Sequence, residues 1–203
     1  SLLQSSSDAA DRIRSRTGGG METDTESDQV GEALRRISDD YTEAVVGPLF
    51  YFTLMGVPGA VAYRTTRVLR EKWSDERGDH GKELGRAANR AFAAVNFIPS
   101  VLSGVFLSWS ARWTERRGHE AWQAAREASR ERSWQDSRWS HGAVAGALDV
   151  RLTNEAGSDI LNPEGKPATI DELRRGRRLF MVATGVALAV TIILSGLTHL
   201  RRR

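Results

Sequence analysis

Hydrophobic and polar positions separate along this chain into long blocks. Three stretches, 44–63, 91–111 and 179–198, carry no charged side chain. Each is close to the ~20 residues that an α-helix needs to cross the hydrocarbon core of a bilayer. The pattern predicts an all-α fold: a polytopic integral membrane protein whose membrane segments are broken by proline and glycine and joined by polar helical loops. Residues 1–31 read as a polar helix or flexible linker and 32–203 as the membrane domain, with a polar region over 112–178.

Ahead of the first block, Leu34, Ile37, Tyr41 and Val45 recur at helical spacing, which predicts a helix over 32–46. Asp39 and Glu43 lie one turn apart on its other side. Like charges at that spacing cost about 0.2–0.5 kcal/mol unless a cation lies between them. Two readings stay open: a solvated polar face, or a site for Mg²⁺ or a substrate amine at the membrane edge.

The first block holds Gly47, Pro48, Gly56, Pro58 and Gly59, and the second holds Asn96, Pro99, Ser100, Ser103 and Gly104. Irregular backbone at membrane depth must be covered by protein or line a polar cavity, so these blocks either kink or shape a site. The third block has no proline and reads as an ordinary anchor, closed by His199 and three arginines at 201–203. Thr169 to Glu172 forms a capping-box pattern that opens the helix entering it. Upstream, NPEG at 162–165 is turn chemistry, and HEAWQAAREASRERSW at 119–134 reads as a polar helix. Trp109 and Trp113, one turn apart at the end of the second block, suit an interfacial aromatic belt.

Composition alone would mislead. A mean hydropathy of −0.42 describes a soluble chain on average, while the apolar residues are gathered in blocks. The 203 residues include no cysteine, which excludes disulfides and thiolate metal sites. The opening SLLQSSSDAADRIR has neither an initiator Met nor an apolar h-region, which leaves two readings, a processed chain or one whose beginning is missing. Eight Lys or Arg fall in 64–90 and thirteen in 112–178. Three full spans would put these basic regions on opposite sides. The positive-inside tendency therefore predicts that one proline-broken block is re-entrant or interfacial, with both basic regions facing the cytoplasm.

Nucleic acid is not an expected partner, because glutamates interleave with the arginines and tryptophans of 109–139. No phosphate loop is present, since GDHGK at 78–82 has the wrong spacing, and no GxSxG elbow or HExxH helix occurs. The histidines at 80, 119, 141 and 199 are scattered and read as surface residues.

The stretch VVGPLFYFTLMGVPGAVAYR at 45–64 resembles VVAPLFYxxLxGxPGAxAYR of the adenosylcobinamide-phosphate synthase family of cobalamin biosynthesis (CobD/CbiB). Further pieces follow in family order. Residues 85–99, with Arg90 and NFIP, resemble GWAxARLDDLxNYIP; Trp139 and AVAGALDVRL resemble GWPEAAMAGALGVRL; and IDELRRGRRL resembles the helix entering the last span. The resemblance covers most of the chain and implies that about the first third of a full-length member is absent.

What the resemblance implies is ATP-dependent amide formation, joining the free carboxyl of a corrinoid, adenosylcobyric acid, to aminopropanol or its phosphate. ATP and Mg²⁺ would be required, the corrinoid is the substrate, the cell membrane is the location with multi-pass topology, and a homo-oligomer is left open. Asp39 and Glu43 would hold Mg²⁺ and serve catalysis with Arg90 and Asn96; Arg64, Asp136 and Trp139 would bind substrate. The structural alternative for Arg64 and Arg90 is a snorkelling side chain at a membrane end.

The chain also departs from the pattern. The family's E-N-x-x-D-G is replaced by Asp39, Asp40, Tyr41, Thr42, Glu43 and Ala44, and its N-T-L-D by Arg67, Val68, Leu69 and Arg70, losing an acid and gaining two cations. The ARLDD pair becomes Phe92 and Ala93. A second resemblance, to AmpE-type membrane regulatory proteins that share the scaffold without the acidic motifs, implies a non-catalytic role.

Overall fold

The first helix begins earlier than its apolar spacing predicts. In the computed structural model, which describes residues 22–74, 79–131, 138–153 and 160–201, helix α1 runs Glu22–Tyr41. Tertiary anchors hold its polar first half. The Ala168 amide donates to Ser27 Oγ at 3.1 Å, Thr153 Oγ1 donates to Asp28 Oδ1 at 3.0 Å, and Val30 is buried. Packing thus extends a helix that short-range propensity would leave frayed. The segment expected as a linker is helical from Glu22; residues 1–21 lie outside the described residues. Leu34, Ile37 and Tyr41 are buried as their spacing predicts, and Val45 is half-buried.

A wider, π-helical turn, Thr42–Val46, follows α1. Pro48 has no N–H to give and its ring crowds the carbonyl four residues back. Here the backbone widens, and the Gly47 amide reaches the Thr42 carbonyl, five residues away. Helix α2, Gly47–Met55, then lasts nine residues. It stops at Gly56, whose φ of 69° lies in a region open chiefly to glycine. Helix α3, Val57–Ser74, returns alongside α2. Nine residues rise only about 14 Å against a hydrocarbon core of about 30 Å. The first apolar block is therefore a helical hairpin and not one membrane-crossing helix. Gly47 permits its tight closure, because a Cβ there would fall inside the Tyr63 ring.

The second block behaves differently. Helix α4, Asp79–Thr114, continues for 36 residues through Pro99. A proline at 99 strips the Val95 carbonyl of its usual partner. The Tyr51 hydroxyl of the hairpin replaces it, donating to Val95 O at 2.9 Å. The backbone thus reverses in the first broken block, and an unbroken helix separates the two basic regions.

Helices α5, Gly118–Glu131, and α6, Arg138–Leu148, come next. A short antiparallel pair, β1 Leu152–Thr153 and β2 Ile160–Leu161, leads to α7, Ile170–Arg201. The predicted turn and capping box are both present: the Gly165 amide donates to Asn162 O at 2.9 Å, and Glu172 accepts from the Thr169 amide at 3.2 Å. The core lies between α1, the second half of α4, α5, α6 and the start of α7, with Leu34, Leu107, Ala125, Val144, Leu148 and Leu179 at its centre.

By length and composition, Gly85–Thr114 within α4 and Ile170–Leu197 within α7 could each cross a membrane. Past Ala187, α7 leaves the core with Ile192 and Ile193 exposed.

Gly47→Ala is expected to lower stability by about 1–3 kcal/mol through overpacking against Tyr63. Gly185→Ala, with nothing within 4 Å of the new methyl, should be neutral or stabilising by up to about 1 kcal/mol. Thermal unfolding of the detergent-solubilised protein, followed by tryptophan fluorescence, separates the two.

Candidate functional site

Where the hairpin meets α1, charged groups from both ends of the uncharged run come together. Glu43 sits in the π turn with only 8% of its side chain exposed. Arg70 donates to both its oxygens, Nη1 to Oε1 and Nη2 to Oε2, each at 3.0 Å. Such two-pronged pairing is the strongest form of the interaction and fixes orientation as well as distance. Arg67 Nε stands 3.2 Å from Glu43 Oε2 and 3.0 Å from Glu71 Oε1, while its Nη2 reaches Asp40 Oδ1 at 3.3 Å. The Arg70 guanidinium also lies over the Phe92 ring of α4, 4.0 Å from its centre, a cation–π contact that orients it further.

Burial raises the Glu43 carboxyl above its ordinary pKa, and the pull of Arg70 and Arg67 only partly offsets it. This ion pair is held by packing against a desolvation penalty.

Beside it, His141 of α6 places Nε2 2.9 Å from Asp39 Oδ1. With Asp39 ionised, that nitrogen carries the proton. Below the cluster, the Tyr63 hydroxyl donates to Asn96 Oδ1 at 2.7 Å, and Tyr63 stacks on Tyr51 with ring centres 5.2 Å apart.

Asp39 and Glu43, paired by sequence spacing, do lie together, but each engages its own partner. Asn96 is buried and reaches the cluster through Tyr63. Arg64 and Arg90 are exposed, and among the described residues no ion pair or hydrogen bond joins them to the cluster. Trp139 is half-buried against Trp122, with ring centres 5.6 Å apart. Asp136 lies outside the described residues.

Sequence reasoning missed Arg67, Arg70 and His141. For the arginines a signal existed: acids at 40 and 43 and cations at 67 and 70 bracket an uncharged run with Gly-Val-Pro-Gly in its middle. Nothing comparable marked His141, whose burial depends on where α6 packs; it corrects the expectation of a surface histidine.

The Mg²⁺ expected at Asp39 and Glu43 does not fit this donor set. Both Glu43 oxygens accept from guanidinium groups, Asp39 is turned to His141, and among the described residues no three His, Cys, Asp or Glu gather as ligands. A hard cation of this size needs several converging oxygens.

The family described as CobD/Cbib protein matches residues 21–196. The chain belongs to the CobD/CbiB family. It is 30% identical over 172 residues to the cobalamin biosynthesis protein CobD of Rhodobacter capsulatus, covering 79% of this chain and 52% of that one. To CbiB of Salmonella typhimurium it is 27% identical over 175 residues, covering 81% and 54%. To the probable cobalamin biosynthesis protein CobD of Thermoplasma acidophilum it is 29% identical over 151 residues, covering 74% and 48%. The chain thus spans about half the length of the curated relatives it matches. No solved structure gives a significant match. Within this CobD/CbiB chain the charged cluster bounds the hairpin on both sides, at 39–43 and 67–71.

Glu43→Gln would leave two guanidinium groups without their buried counter-charge. A loss of about 3 kcal/mol is expected, at the lower end for such pairs because the arginines are partly solvated. Exchanging the charges, Glu43→Arg with Arg70→Glu, should recover part of it. Chemical denaturation of the two variants checks both.

Proposed function

We propose that this chain is part of a membrane-bound adenosylcobinamide-phosphate synthase, acting in cobalamin biosynthesis. The proposed reaction is ATP-dependent ligation of aminopropanol, or its phosphate, to the free carboxyl of adenosylcobyric acid. Membership of the CobD/CbiB family supports the pathway. The observation that carries the reading of the site is the convergence of Asp39, Asp40, Glu43, Arg67, Arg70 and His141 beside the hairpin that bears the family-like stretch.

The chemistry asks for two kinds of environment. A phosphoryl group passes from ATP to the corrinoid carboxylate, the amine nitrogen then attacks the carbonyl carbon, and phosphate leaves as the amine gives up a proton. An amine arriving as an ammonium ion is attracted by carboxylates. In this proposal Asp39 and Asp40, each with 43% of the side chain exposed, receive it. Arg64 and Arg90, exposed near the hairpin and on α4, meet phosphate or corrinoid carboxylate, where fixed positive charge favours the developing anion. Asn96 acts from below through Tyr63. Trp139 and Asp136 are assigned to the corrinoid by resemblance alone. Mg²⁺ enters with ATP, as part of that substrate.

The multi-pass membrane location is part of the same proposal. The exposed apolar side chains of α7 and the exposed Trp109 and Trp113 of α4 support it.

A second reading, a non-catalytic membrane regulatory protein on the same scaffold, is favoured by one observation: Glu43 is already neutralised by the protein's own arginines.

The test is complementation of a strain lacking adenosylcobinamide-phosphate synthase by the full-length gene, scored as growth that requires cobalamin made from cobyric acid. Growth is expected, and Asp39→Asn should slow ligation in membranes about 100-fold or more. Absence of growth with the protein present in the membrane would transfer the reading to the non-catalytic role.

A further inference from the structure

The uncharged run 44–63 is long enough to cross a bilayer, yet its two ends touch. Four contacts hold the two limbs together. Arg67 meets Asp40, Arg70 clasps Glu43, Tyr63 covers Gly47, and Gly59 lies against the Tyr51 carbonyl. Gly56 makes the reversal beyond them. From Glu43 to Met55 is twelve residues, a rise of about 18 Å, so the tip reaches past the middle of a ~30 Å hydrocarbon core and no further.

The composition of the hairpin follows the same axis. Its charges are confined to the clasped end. Towards the tip Leu54, Met55, Val57 and Val61 are exposed, Val57 at 65% and Leu54 at 61%, a contiguous apolar cap that water would not favour. The side-chain hydroxyls inside the hairpin are answered within the protein: Thr53 Oγ1 donates to Leu49 O at 2.9 Å, Tyr51 to Val95 O, and Tyr63 to Asn96. At the reversal itself the Gly56 amide donates to Phe52 O and the Gly59 and Ala60 amides to Gly56 O, and internal partners of this kind are what hydrocarbon demands. Arg64, directly after the uncharged run, is exposed, and a long cationic side chain at such a place can snorkel to lipid phosphate.

We infer that residues 44–63 form a re-entrant hairpin whose tip is buried in the acyl chains of a phospholipid bilayer, entering and leaving by the same face, with the Glu43–Arg70 clasp at the headgroup level. The inference rests on the membrane location proposed above. It adds that the charged cluster sits at the membrane surface and not within a channel through it, so that a large polar substrate reaches it from the aqueous side.

Residues 1–203 hold no cysteine, so single cysteines placed in them can be mapped in sealed membrane vesicles once any cysteine elsewhere in the full-length protein is replaced by serine. Arg36→Cys and Val68→Cys report the two feet, and Met55→Cys and Leu54→Cys report the tip; all four positions are exposed. A membrane-impermeant maleimide is expected to label both feet from one side only. The tip positions should resist it from either side. An environment-sensitive fluorophore attached to them after solubilisation should be quenched on reconstitution with acyl-brominated phosphatidylcholine.

Labelling of the feet from opposite sides, or of the tip from the side opposite to the feet, overturns the inference while leaving the membrane location intact. Shielded tips that brominated lipid does not quench also overturn it, because protein and not lipid then covers the cap. Recovery of the full-length protein in the soluble fraction defeats the membrane location itself, and this inference with it.

Discussion

A carboxylate withdrawn from water must be given back the interactions it lost, and Glu43 places that demand in the middle of a helix. Its two oxygens are answered by one guanidinium in a fixed planar fork, with a second guanidinium alongside. A fork of this kind dictates the direction of approach as well as the distance. Arg70 can satisfy it only if α3 returns beside the end of α1 at one height and one rotation. The reversal at Gly56, the absence of a side chain at Gly47 and the thin contact at Gly59 are what let the returning helix come that near. The π turn belongs to the same arrangement, since the backbone widened ahead of Pro48 also carries Glu43.

From this junction the second helix pair is organised. Phe92 of α4 lies under the Arg70 guanidinium, and two tyrosines of the hairpin reach α4 one turn further on. Tyr51 repairs the backbone carbonyl that Pro99 leaves without a donor, so α4 passes its proline unbroken. Hairpin and long helix thus complete each other: one supplies the hydroxyls, the other the aromatic face and the orphaned carbonyl.

Much of the framework was legible in sequence because it is local. Helical spacing identified the buried face Leu34, Ile37 and Tyr41; Thr169 and Glu172 identified the start of α7; and the glycines and prolines of 47–59 marked a segment unlike a plain anchor. What was not legible depends on distant packing. Glu22 begins a helix because Ser27 and Asp28 find partners more than a hundred residues away and Val30 is buried in the core. Asp39 and Glu43 look like a shared cation site from spacing alone, whereas the fold gives one a histidine and the other two arginines. His141 is unremarkable in sequence until α6 brings it to Asp39.

The arginines at 67 and 70 also change how the chain's departures from the family-like pattern are read. Taken singly, each replaces a neutral or acidic position by a cation near a membrane segment. Taken with Glu43 they form one unit, and removing either member of a buried pair leaves the other charge exposed to the full desolvation penalty. The polar positions at 39–43 and 67–70 therefore form a physically coupled set.

The sum over that set has a direction. Asp40, Glu43 and Glu71 face Arg67 and Arg70 while Asp39 faces His141, so among these residues the acids outnumber the arginines even though the deepest acid is paired. An excess of carboxylate favours a cationic ligand over an anionic one, and more strongly where low-dielectric protein lies on one side. Arg64 and Arg90 stand outside the cluster, free of its acids and open to anions. A reaction that joins an ammonium-bearing partner to an anionic one needs such zones close together without letting them cancel. Here the separation is a consequence of the hairpin: the arginines drawn into the clasp are those one helical turn apart on the face of α3 turned to Glu43, and Arg64 lies off that face.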